Sequence, residues 1–140
     1  MGLRVGYELK RAQHALRLVT DEVARQHGLS TPQYSALDAL GRDPGLHGAA
    51  LARACFVTPQ TMHQLLQRLE RGGLISRASE PTHGRRLAYT LTASGTRILA
   101  EMTEGMEAVQ VQMVSALTWQ ETEALSGYLR SCAASLERTE

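Results

Sequence analysis

The 140-residue chain has only two cysteines, Cys55 and Cys132, and they stand far apart without metal-ligand spacing. They offer neither a disulfide framework nor a thiolate metal site, and the expectation is a reduced, cytoplasmic protein. Long apolar runs are missing too: charged or polar residues interrupt every stretch within a few positions, so nothing could span a bilayer. The opening Met1-Gly2-Leu3-Arg4 leads into an amphipathic pattern and lacks the apolar core of a signal peptide. The five histidines, His14, His27, His47, His63 and His83, form no close ligand cluster. No metal or other cofactor is expected from them. Neither a Ser/His/Asp order, a phosphate loop nor a paired-carboxylate motif occurs, so an enzyme is not expected. Internal repeats and low-complexity tracts are absent as well.

What remains is ordinary globular material, 43% hydrophobic and 21% charged, in a length that suits one domain with a real core. The net charge of +1 conceals an uneven distribution. Residues 1–30 carry five basic and three acidic side chains, and residues 31–91 carry seven arginines against Asp38, Asp43, Glu70 and Glu80. Residues 92–140 reverse the balance, with Arg97, Arg130 and Arg138 against seven glutamates. A basic middle beside an acidic tail points to a polyanion facing the middle.

Periodicity predicts six helices and one hairpin. The first helix, about 4–27, spaces Leu9, Ala12, Leu16, Val19 and Val23 along one side and closes at Gly28. Thr31-Pro32 opens the second, where a side-chain oxygen can cap and proline sits where no backbone donor is needed. A short alanine-rich helix over about 48–55 follows, and Thr58-Pro59-Gln60 starts a fourth that ends at Gly72-Gly73. Residues 74–77 and 87–91 read as two strands around the turn Pro81-Thr82-His83-Gly84. A long helix then repeats Ile98, Met102, Met106, Val109 and Met113 every three or four residues. Thr118 caps a last helix striped by Leu125, Tyr128, Leu129, Cys132 and Leu136. The terminal helices carry more apolar surface than a core of about 60 residues can cover. Either they bundle within one chain or they intertwine with a second copy.

The fourth helix holds the most informative pattern. Met62, Leu65, Leu66 and Leu69 share one face, while Gln60, Gln64, Gln67 and Arg71 occupy the other, flanked by Thr61, His63 and Arg68. Only Glu70, near the edge, is acidic. Glutamine can pair bidentately with adenine, and arginine with guanine or phosphate. The N-terminal half of such a helix enters the major groove, which selects Gln60, Thr61, His63 and Gln64 as base readers. A merely solvated polar face is the alternative. The hairpin tip adds His83, Gly84, Arg85 and Arg86, a basic turn able to reach a minor groove or its phosphates, or otherwise simply a charged loop.

The run Thr58-Pro59-Gln60-Thr61-Met62, then Leu69-Glu70-Arg71-Gly72-Gly73-Leu74-Ile75, then Arg85-Arg86 and Leu91-Thr92 before Gly95, resembles the MarR family of transcriptional regulators. Leu29-Ser30-Thr31-Pro32-Gln33-Tyr34 and the placement of the terminal helices fit as well, so the resemblance covers nearly the whole chain. It implies a mainly α fold with a small β-hairpin wing: a winged helix-turn-helix DNA-binding domain over 31–91 and a helical dimerisation region formed by 1–30 and 92–140. It further implies a homodimeric repressor on a pseudo-palindromic operator in double-stranded DNA. Two recognition helices would enter successive major grooves, roughly one helical turn apart. The DNA-contacting set would be Thr58, Gln60, Thr61, His63, Gln64, Arg68, Arg71, His83, Arg85 and Arg86.

One position departs from the family. Its wings usually carry Asp-x-Arg, and here His83 stands in the aspartate position before Arg85. Histidine cannot accept a salt bridge from arginine. Contact with phosphate through His83, or a pH-sensitive wing near the unperturbed histidine pKa of about 6.5, is the expected consequence. The resemblance also implies release from DNA by a small aromatic or phenolic anion bound between the dimerisation helices and the winged-helix lobe. Lys10, His14 and Arg17, spaced i, i+4, i+7 on one face, together with Tyr34, are the candidate ligand residues. Two alternatives stand beside this reading. One is a winged-helix interaction module without DNA binding. The other is a thiol-based redox sensor, against which Cys55 and Cys132 both lie where packing is expected.

Overall fold

The computed structural model describes residues 2–77 and 88–137. Six helices and a two-stranded sheet follow one another: α1 (Val5–Arg25), α2 (Thr31–Arg42), α3 (Gly48–Ala54), α4 (Pro59–Arg71), β1 (Ile75–Arg77), β2 (Tyr89–Leu91), α5 (Ala93–Met113) and α6 (Trp119–Leu136). The chain divides into two compact units, Met1–Met106 and Glu107–Glu140, and α5 runs through the boundary.

Side-chain caps begin four of these helices, α2, α4, α5 and α6. Ser30, one residue before the Thr31 expected for this role, closes a reciprocal box with Gln33 at the head of α2. The Thr31 hydroxyl is free for another bond and donates to Asp21 Oδ1 on α1 at 2.6 Å. Thr58 accepts from the Thr61 amide at 3.1 Å and starts α4, with Pro59 in the first turn. Thr118 and Glu121 form a second box at α6, as the sequence predicts.

The first unit is built around α2, α3 and α4. Leu37, Leu40, Leu51, Met62, Leu69 and Ile75 are its fully buried large side chains, together with Met102 of α5. Burying each such side chain contributes roughly 1.5–3 kcal/mol, so the inner face of α4 anchors that helix firmly. A smaller cluster joins Ala24 of α1 to Met102 and Met106 of α5.

The strands pair antiparallel in the register Ile75↔Leu91, Ser76↔Thr90 and Arg77↔Tyr89. Residues 45–47 extend the sheet: Gly45 N–H donates to Tyr89 O, Tyr89 N–H to Leu46 O, and His47 bridges Ala88. Thr92 ties the sheet to α5. Its hydroxyl donates to Gly73 O at 2.6 Å and accepts from Gly95 N–H at 3.0 Å. A Cβ at Gly95 would run into the Leu74 carbonyl oxygen, which explains a glycine three residues after Thr92.

In the second unit α6 buries no side chain within the chain. Leu125, Tyr128, Leu129 and Leu136 are all exposed, and so is Cys132, for which the sequence predicts packing. The α1 stripe is likewise largely uncovered, with Leu9 and Val19 exposed.

Candidate nucleic-acid interface

Helix α3, the turn Cys55–Thr58 and helix α4 form a helix-turn-helix. The polar side of α4 is where the sequence puts it: Gln60, Thr61, His63, Gln64, Arg68 and Arg71 are all exposed, as is Thr58. Met62, Leu65, Leu66 and Leu69 are buried on the opposite side and hold the exposed row in a fixed orientation. Among the described residues no hydrogen bond or ion pair engages the side chains of Gln60, His63, Gln64, Arg68 or Arg71. Thr58 and Thr61 are different, because their hydroxyls bond each other at 3.0 Å while Thr58 caps the helix.

The acidic edge of α4 is neutralised internally. Arg77 on β1 directs its Nε–H at both Glu70 oxygens, each 3.2 Å away. The exposed α4 surface therefore carries amides, a histidine and two arginines with its single carboxylate already matched. Base edges and phosphates are what such a surface complements. His83, Arg85 and Arg86, the wing residues, lie outside the described residues.

The four candidate ligand residues do not converge on one place. A cleft of about 810 Å³ lies between α1, the start of α2 and the α3–α4 turn. Arg17 lines it, together with Thr20, Asp21, Arg25, Thr31 and Phe56. Tyr34 lines a second cleft of about 520 Å³ with Asp38, Arg42 and Asp43, and its hydroxyl lies 3.3 Å from Thr103 Oγ1 of α5. Lys10 and His14 are exposed on α1 and line neither of these clefts.

The larger cleft is electrostatically divided. Arg17 Nε is 3.9 Å from Asp21 Oδ2, while the other oxygen of Asp21 is held by Thr31. Arg25 is paired with Glu22 at 2.9 Å. Cys55 borders both clefts. Burial, and secondarily the Asp38 carboxylate, pushes its thiol pKa up. A thiol held protonated in this way is a poor nucleophile. Sequence reasoning missed Arg25, which follows Arg17 by eight residues and so shares its side of α1. It also missed Phe56 and the pairing of Glu70 with Arg77.

A helix-turn-helix with an amide-rich, cationic outer face, followed by a β-sheet wing, defines a winged helix-turn-helix DNA-binding protein. The MarR family profile matches residues 27–86. The chain is 37% identical over 115 residues to the HTH-type transcriptional repressor Rv2887 of Mycobacterium tuberculosis, covering 81% of this chain and 82% of that protein. The solved structure of the MarR family protein Rv2887 in complex with salicylic acid is similar, with a TM-score of 0.75 at 30% identity over 94% of this chain and 97% of the other. The Rv2887 complex with DNA gives a TM-score of 0.78 at 28% identity, over 94% and 98% of the two chains. The chain belongs to the MarR family of winged helix-turn-helix regulators: a DNA-binding transcriptional regulator, not an enzyme.

Among the described residues no helix is long and apolar enough to cross a membrane, and no three His, Cys, Asp or Glu side chains gather as metal ligands.

Proposed function

We propose that the protein is a cytoplasmic, homodimeric repressor that binds a pseudo-palindromic operator and is released by a small aromatic carboxylate. The observation that carries the reading is the α4 surface, where exposed Gln60, His63, Gln64, Arg68 and Arg71 stand on a buried apolar face and the one carboxylate of the helix, Glu70, is paired with Arg77. Gln60, Thr61, His63 and Gln64 read base edges, and Arg68 and Arg71 meet phosphates. Thr58 fixes the start of the helix. His83, Arg85 and Arg86 take phosphate or minor-groove contacts on the wing. Residues 31–91 act as the DNA-binding domain, and 1–30 with 92–140 as the dimerisation region. The uncovered apolar stripes of α1 and α6 support a second copy as their partner.

The effector part of the reading rests on the larger cleft. Arg17 is only loosely engaged by Asp21, whose carboxylate Thr31 already holds, so an incoming carboxylate can compete for the guanidinium. The complex of the relative Rv2887 with salicylic acid supports this chemistry. Tyr34, Lys10 and His14 stand outside that cleft in the single chain and would contribute only through a rearrangement or a second copy.

Titration of the protein onto the DNA upstream of its own gene, with and without salicylate, tests the proposal. Tight, salt-sensitive binding that salicylate weakens in the wild type but not in Arg17→Ala is the expected result. A stable monomer in sedimentation at micromolar concentration, or binding indifferent to DNA sequence, would contradict it.

A further inference from the structure

Three helices of the first unit end in the same backbone device. The N–H of Leu29 reaches Ala24 O, that of Leu74 reaches Leu69 O, and that of Val57 reaches Ala52 O, all at 3.0–3.1 Å. Each reach-back requires a left-handed residue just before it. At two of the three ends that residue is glycine, Gly28 with φ 73° and Gly73 with φ 74°. At the third, between α3 and α4, it is Phe56, with φ 57°. Glycine adopts this conformation freely, whereas a side chain with Cβ is strained in it.

Packing does not account for the phenylalanine either, because it is 91% exposed. A large aromatic held at a strained and solvent-facing position points to a contact partner outside the single chain. Phe56 lines both clefts. In the smaller one its neighbours include the carboxylates Asp38 and Asp43, whereas in the larger it shares the lining with Arg17 and Arg25, which suits an anion, and only Val57 separates it from Thr58, the cap of α4.

Resting on the effector reading above, we infer that Phe56 is a specificity-determining residue of that cleft. Its ring stacks on the ring of an aromatic carboxylate whose anionic end is taken by Arg17, so that aromatic acids are preferred over aliphatic acids of the same charge and size. The occupant is a flat anion because the cleft offers a cation on the α1 side and a free aromatic face on the turn. Since the turn continues directly into the cap of α4, engagement of Phe56 also biases the position of the first turn of that helix.

Calorimetric titration of wild type, Phe56→Ala, Phe56→Gly and Phe56→Tyr with salicylate and with cyclohexanecarboxylate tests the inference. Wild type and Phe56→Tyr should prefer salicylate. Phe56→Ala and Phe56→Gly should bind salicylate about three- to tenfold more weakly while binding cyclohexanecarboxylate nearly as before. Thermal unfolding provides the folding control: Phe56→Gly should unfold at a higher temperature than wild type, so weaker binding cannot be ascribed to a damaged fold. Unchanged salicylate affinity in Phe56→Ala, or an equal loss for both acids, would overturn the inference while leaving the effector reading intact. Dissociation of the dimer by Phe56→Ala with salicylate affinity unchanged would overturn it too, assigning the ring to a second copy. Failure of the wild type to bind either acid would remove the effector reading and this inference together.

Discussion

Arg77 at the end of β1 directs its Nε–H to both carboxylate oxygens of Glu70 on α4, at 3.2 Å each. The pair joins the helix proposed to read DNA to the strand that leads into the wing. It also matches the charge of Glu70, the only carboxylate on α4. Both side chains are partly exposed, so the pair stabilises the fold by no more than about 1 kcal/mol. Its larger effect is on the partner. Arg77→Ala should change thermal stability little but weaken DNA binding by roughly fivefold at low salt, because Glu70 is left to repel phosphate. Adding Glu70→Gln to Arg77→Ala should recover most of that loss. If the double variant binds no better than Arg77→Ala, the carboxylate is not the cause.

Gly95→Ala should destabilise the protein by about 1–3 kcal/mol or more, since the added methyl meets the backbone carbonyl of Leu74 and not a side chain that can turn aside. Urea unfolding with an unchanged slope and a lower midpoint would report this. An unaltered midpoint would show that the approach of α5 to the start of β1 is looser than the structure places it.

The legible parts of this molecule were those fixed by local rules. Proline after a polar cap located the starts of α2 and α4, and the apolar periodicity of Met62, Leu65, Leu66 and Leu69 told which side of α4 turns inward. Thr92 and Gly95 stand out only through the family resemblance, and the bonds by which they join sheet and α5 are seen in the structure. What pattern could not supply were relations between elements. The spacing of Lys10, His14 and Arg17 shows that they share a side of α1, but not how far along that side α2 and the α3–α4 turn approach. Arg17 consequently meets the larger cleft, whereas Tyr34 lines the other and its hydroxyl lies beside Thr103 of α5. Phe56 eluded reading for a different reason: a left-handed cap normally announces itself by glycine, and here the residue gives no such signal.

Cys55 should alkylate slowly. Burial, then Asp38, holds its pKa above that of an ordinary thiol, so the native state keeps the proton. The sign follows: the associated stability is fully present below the unfolded thiol pKa and is lost as pH rises through the folded value. In a Cys132→Ser background, iodoacetamide should modify native protein more slowly than urea-unfolded protein, with its pH midpoint displaced upward. Rapid modification near neutral pH would revive the thiol-sensing alternative.

Glu121 should titrate below the usual glutamate range, because the Thr118 backbone N–H, and secondarily its hydroxyl, favour the charged carboxylate. A depressed folded pKa stabilises the α6 capping box above the unfolded glutamate pKa, and the contribution disappears as pH falls through the folded value. Carboxyl chemical shifts followed from pH 7 to 2 should place this midpoint below the usual glutamate range. Thr118→Ala removes the hydroxyl but keeps the backbone N–H, so the depression should shrink without vanishing, and a midpoint unmoved by that substitution would show that the hydroxyl contributes nothing to it.

The central claim, that α4 reads base sequence, is tested most directly through Gln64, which is exposed and has no partner among the described residues. Fluorescence anisotropy would measure wild type and Gln64→Ala on the DNA upstream of the gene and on scrambled DNA of equal length, at one fixed salt concentration. Loss of the amide should cost about 1–3 kcal/mol on the upstream DNA and leave binding to scrambled DNA unchanged, since a base contact carries specificity and a phosphate contact does not. Equal losses on both DNAs, or no loss on either, would contradict the claim that this face of α4 is the reading surface.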